Sequence, residues 1–254
     1  MGDNGPLGPT VSVAALLLGD SRFPAGGHAH SGGVEPAVTA GTVTDLESLE
    51  WFLRGRLRTA GLVAAGLAAA ACAEVQRNVA PGESAAVVRD HGFLAELDAE
   101  ADARTPAPAQ REASRRQGRA LLRAARVVWP EAAGLSSLAA VAGGRGARAV
   151  GGPHHAIVLG VAAAAAGCPP GEAARIAAYQ AVAGPLSAAV RLLALDPMRA
   201  TGILARLAGE IDRIAAQGAA CADGPLGDLP CASAPALDLL AETHIRAEVR
   251  LFES

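Results

Sequence analysis

No stretch of this chain alternates apolar and polar residues convincingly with period two, and the residues that favour strands are sparse. Alanine, the best helix former, takes about a quarter of the 254 positions. A half-buried sheet needs an alternating pattern to place one face in a core. Without it, the chain can bury its 51% hydrophobic residues only through helices. The expectation is an all-α fold, a single globular domain of about ten helices, and at this length it needs no disulfide staples.

Breakers and periodicity divide the chain. Residues 1–10 read as a flexible leader, and 11–254 as one helical domain whose C-terminal tail starts near 235. "VSVAALLLGD" predicts a short apolar helix from Val11. In "TVTDLESLEWFLRGRLR", Thr44 and Glu47 have capping-box spacing, and Leu46, Leu49, Phe52, Leu53 and Leu57 form one apolar face. A second helix is expected over Leu62–Arg77, broken at Pro81-Gly82, and another over roughly Ser84–Ala101. "TPAPAQREASRRQGRALLRAARVVWP" predicts an amphipathic, basic helix carrying Arg111, Arg115, Arg116, Arg119, Arg123 and Arg126, ending before Pro130. After the cationic connection "GGRGARAVGGP", helices fit His154–Gly167, Gly171–Ala183, Pro185–Leu195 and Pro197–Gln217, and "ALDLLAETHIRAEVRLFES" closes the chain as a helix with a short tail.

Several functions are excluded by composition. The net charge of -3 and the 3% aromatic content argue against nucleic-acid binding and against a charged membrane-surface binder. All 22 basic residues are arginine. A phosphate loop of the GxxxxGK[ST] type and a lysine Schiff base are therefore impossible in this chain. Cys72, Cys168, Cys221 and Cys231 have no metal-ligand spacing and read as reduced and mostly buried, in a cytoplasmic protein. The N-terminus carries Asp3 and no basic segment, so no signal peptide is expected. The longest charge-free apolar run, "AIVLGVAAAAAGC", is too short for a bilayer and predicts a buried core helix.

The stretch "FPAGGHAHSGGVE" is the one with candidate chemistry. His28 and His30 are spaced so that a strand would bring both to one metal, with Glu35 the nearest further ligand, and a metal-dependent enzyme on these three residues is one reading. A structural or solvated role for the histidines is the other, and is favoured. His154 and His155 are adjacent, so on a helix they point apart. Ser31 lacks the first glycine of a nucleophile elbow. The glycines fit a turn between helices that needs positive φ. The arginine-rich helix reads as a solvated face before it reads as a docking face. Leu251 and Phe252 lie at a chain end, either docked on the core or waiting for a partner.

Four segments, in order, resemble the urease accessory protein UreF family. Asp20, Ser21, Pro24, Gly26, His30, Ser31, Gly33 and Glu35 match its N-terminal signature. Glu112, Ser114, Gln117, Gly118, Arg119 and Leu122 match its central helix, and "AVRLLALDP" a later segment. Pro235, Leu237, Asp238, His244, Arg250, Leu251, Phe252 and Ser254 match its ending. The chain departs from the family at His28, Ala29, Ile245, Asp196 and Pro197. The resemblance implies an all-α homodimer without catalysis of its own, which bridges UreD (also called UreH) to the GTPase UreG so that nickel reaches apo-urease. It implies that this chain itself holds neither nickel nor GTP. His30, Ser31, Glu35, Arg119, Asp238, His244, Arg250, Leu251, Phe252 and Ser254 become candidate partner-binding or interface residues on that basis. An unrelated helical adaptor is the remaining alternative.

Overall fold

The computed structural model describes residues 12–24, 27–78, 91–143, 151–247 and 250–252. Eleven α-helices and no strand are found among them. They are α1 (Val13–Gly19), α2 (Val34–Thr39), α3 (Leu46–Arg56), α4 (Leu62–Arg77), α5 (His91–Ala103), α6 (Pro108–Val128), α7 (Ala133–Gly143), α8 (His155–Ala165), α9 (Pro170–Leu192), α10 (Pro197–Ala219) and α11 (Pro235–His244). The expected leader lies outside the described residues, as do the first part of the expected Ser84–Ala101 helix and most of the cationic connection.

Helix α4 is the axis of the fold. It is buried nearly throughout because it is nearly all small and apolar. Val63, Leu67, Ala71, Cys72 and Val75 face one core, which α1, α5, α6, α7 and α8 complete. Ala65, Ala69 and Ala73 face a second, built from α2, α3, α9, α10 and the ring of Phe252. Helix α9 also serves both, with Ala173 and Ile176 on one side and Ala174, Ala178 and Val182 on the other. An alanine-rich helix with two buried faces shows little amphipathic period, which is why α4 and α8 read from sequence as apolar runs.

Three local expectations are corrected. The cap of α3 is Asp45 rather than Thr44: its carboxylate accepts from the Ser48 N–H at 2.8 Å, and the Ser48 hydroxyl accepts from the Asp45 N–H at 3.1 Å. An Asp–Ser pair therefore makes the reciprocal box expected of Thr44 and Glu47. Next, α3 and α4 are one continuous rod, Leu46–Arg77, joined by a π-helical turn over Leu57–Gly61. That rod is long and apolar enough to cross a membrane, but 72% of its most apolar window is buried inside the fold. Finally, Pro185 does not end a helix: α9 runs through it. A proline cannot donate to the carbonyl four residues back. Here that carbonyl, of Ala181, accepts from Arg56 Nε at 3.2 Å instead.

Other expectations hold. Helix α8 is the buried core helix, with Ala156 through Ala163 inside. The departure at Asp196-Pro197 starts α10 well, since Asp196 accepts from the Met198 N–H at 2.8 Å and Pro197 occupies the first helical turn. The cysteines are free, but only Cys72 and Cys168 are buried; Cys221 is half-buried and Cys231 exposed.

Candidate functional site

The glycine-rich loop turns as its composition requires. Gly32 and Gly33 have φ of 59° and 89°, a region that side chains disfavour, and Gly33 starts α2. This turn sends His30 and Glu35 to different places. His30 lines a large groove, whereas Glu35, on the first turn of α2, points into the protein and is buried.

Glu35 holds the C-terminal tail. Its two carboxylate oxygens accept from the backbone N–H of Leu251 at 2.7 Å and of Phe252 at 2.9 Å. His244, the last residue of α11, brings Nε2 to 3.2 Å from the Phe252 carbonyl and 3.4 Å from Glu35. The Phe252 ring is buried in the second core, with the Arg191 guanidinium 4.4 Å from its centre. Residues 216 positions apart in sequence thus form one clasp. Leu251 faces outward, 75% exposed.

Helix α11 reaches a second helix from the same end. Glu242 accepts from the Ala109 N–H at 2.9 Å, and Asp238 accepts a backbone bond from Ala107. Both donors belong to the start of α6, which has no side-chain cap of its own. Acidic side chains from another helix therefore satisfy its orphan N–H groups and oppose its positive end. Burial pushes the Asp238 carboxyl above its ordinary range, and neighbouring Glu242 adds to this.

A third cluster joins α5, α6 and the start of α8. Arg115 is buried, with Asp98 at 2.8 Å, Asp102 at 2.7 Å, and the Gly152 carbonyl as a further acceptor. His154 lies beside it, Nδ1 3.0 Å from the Ser114 hydroxyl and Nε2 2.9 Å from Asp102. The Asp102 carboxylate can only accept, so Nε2 carries the ring proton; in the neutral ring Nδ1 then accepts from the Ser114 hydroxyl, which itself accepts from the His155 N–H at 3.2 Å. Burial holds the ring below its usual pKa despite the Asp102 hydrogen bond. Gly118 makes the junction possible, because a methyl there would collide with the Pro153 carbonyl.

The groove measures about 1040 Å³ and lies between the histidine loop, α1, α9 and α10. His30, Arg56, His155, Arg175 and Arg191 line it. His154 and His155 do point apart: one enters the Arg115 cluster, the other the groove. Burial, and secondarily the proximity of His30, push His155 down to about 4 from 6.5. The unfolded chain therefore binds this proton between those values and the folded chain does not, so stability falls as pH drops from 6.5 toward 4. Replacing His155 with glutamine is expected to flatten that part of a stability–pH curve measured by urea unfolding. An unchanged slope would refute the assignment.

The remaining candidates are dispersed. Ser31 is fully buried, and its hydroxyl has no hydrogen-bond partner among the described residues. Arg119 packs over Gly151 and Gly152. Arg250 is exposed, in a small cleft with Glu112, Arg116 and Ile245. Ser254 and the His28 side chain lie outside what is described. Among the described residues, no three histidine, cysteine or acidic side chains come together as a metal set. Sequence reasoning missed Asp98, Asp102 and Glu242, which look like ordinary solvated acids; only their partners across the fold mark them.

The fold and these sites define a class: an all-α protein whose signature polar residues clasp its own tail and join its own helices. Residues 43–208 match the UreF family model. The urease accessory protein UreF of Mycolicibacterium vanbaalenii is 44% identical over 244 residues, covering 96% of this chain and 99% of the relative. That of Mycobacterium marinum is 43% identical over 245 residues, covering 96% of this chain and all of the relative. The chain belongs to the UreF family of urease accessory proteins. Its function is that of an accessory protein in urease maturation.

Proposed function

We propose that this chain acts in the cytoplasm as a homodimeric scaffold that binds UreD (UreH) and the GTPase UreG together, so that nickel passes into apo-urease. Nickel and GTP are handled by the partners; a chain without lysine has no phosphate-loop lysine to offer a nucleotide. The observation that carries this reading is the tail. Glu35, His244 and Phe252 anchor it from inside, while Leu251 and, on α11, Leu239 present large apolar side chains that are 75% and 71% exposed. An apolar surface on a rigidly anchored segment favours protein binding, because little chain entropy remains to be lost on association. Nucleotide-linked change in UreG would couple to this assembly only if the scaffold binds one nucleotide state more tightly.

Deleting Arg250–Ser254 is expected to leave helicity near that of the full chain and to weaken binding to UreD. Circular dichroism and co-elution with UreD check both parts. Co-elution at undiminished affinity would end the assignment of the tail as an interface.

A further inference from the structure

Arg56 stands apart from the other charges of the groove. Asp20 is paired with Arg22, Arg175 with Asp212, and Glu172 accepts from Ser12. The Arg191 guanidinium lies over the Phe252 ring. Arg56 has no carboxylate partner among the described residues; its one bond is from Nε to the Ala181 carbonyl left open by Pro185. That bond needs a single N–H, which a neutral side chain could supply. The charge, and the Nη1/Nη2 end of the fork, are not used by it. The guanidinium is half-buried against Gly32, where a methyl would lie 3.2 Å from Cζ and also press on Pro185. The glycine turn thus leaves room for a planar cation at the groove wall. A desolvated, unpaired charge is costly, and native folds pair such charges or present them to a ligand.

We propose that the groove, which His30 and His155 also line, is a binding site for a carboxylate, seated on the free edge of the Arg56 guanidinium. The fork geometry suits a planar or tetrahedral oxyanion held by two parallel bonds. Charge balance selects the carboxylate. Counting Arg22 with its partner Asp20, four arginines (Arg22, Arg56, Arg175, Arg191) stand against three carboxylates (Asp20, Glu172, Asp212) at the groove, and His155 is neutral, so one added negative charge is matched and a dianion is not. This site is independent of which proteins the tail binds.

The test is a titration of the full-length, isotope-labelled chain at neutral pH and constant ionic strength, following the Arg56 Nε–H and His155 ring resonances. Acetate is the free carboxylate probe, and chloride the control. A blocked Ala-Asp-Ala peptide, against its Ala-Asn-Ala counterpart, represents a protein-borne carboxylate. Saturable shifts with acetate, weakened about tenfold or more in Arg56→Gln, are expected from the loss of a charge-assisted pair. Arg56→Lys, which keeps the charge without the fork, is expected to bind with intermediate strength. Saturation by the Asp peptide and not the Asn peptide would identify the occupant as a side chain of another protein. Saturation by acetate alone would identify a small free anion. Wild-type protein that shows no saturable shift, or the same shift with chloride, would overturn the proposal whether or not the variants fold.

Discussion

Replacing Glu35 with alanine is expected to release Leu251 and Phe252 and to destabilise the protein by about 2–3 kcal/mol, as read by urea unfolding. Two backbone N–H groups lose a charged acceptor at once. Each such bond is worth ~1.5–3 kcal/mol net. The loss falls short of the simple sum of about 3–6 kcal/mol because the freed N–H groups can return to water once the tail is released. Glu35→Gln keeps the shape and one acceptor oxygen but turns an amide NH₂ toward the second N–H, so roughly half the loss is expected. Amide hydrogen exchange at Leu251 and Phe252 should accelerate in both variants. If exchange there is as slow in the alanine variant as in the wild type, Glu35 is not what holds the tail.

Replacing Arg115 with alanine is expected to cost about 3 kcal/mol. Removing one member of a buried ion pair leaves its partner's charge uncompensated, which costs ~3–5 kcal/mol. The Asp98 side chain is only 15% exposed and bears that penalty; Asp102, at 44%, is screened by water and adds little. The Gly152 carbonyl also loses its donor. The measurement is a double-mutant cycle with Asp98→Asn, which removes the stranded charge and should restore part of the loss. Single and double variants that simply add, or a loss below about 1 kcal/mol, would show that the cluster is not a coupled network.

The two variants probe features of different legibility. Glu35, His244 and the closing Arg250–Ser254 segment were visible as parts of separate motifs, but not their meeting. Nothing in either motif states that a carboxylate on α2 caps the amides of residues 216 positions later. Asp98 and Asp102 had no motif, and Arg115 read as one arginine on a basic face. The largely buried π-joined rod and the uninterrupted α9 were missed for a related reason. A proline is a breaker only when no other donor serves the carbonyl it abandons, and here Arg56 serves it from another helix.

What the amino-acid order alone determined is local or exclusionary. Alanine content and missing alternation required helices, the absence of lysine removed two chemistries, and glycines at 32 and 33 allowed the turn to adopt positive φ. Those follow from backbone sterics and from the reach of single side chains. Tertiary packing alone decided which charges are paired, which histidines are buried, and that Arg56 is left facing a groove. Solvation and pairing depend on distances between segments far apart in the chain, and a charge changes its energy by several kcal/mol according to what the fold places beside it.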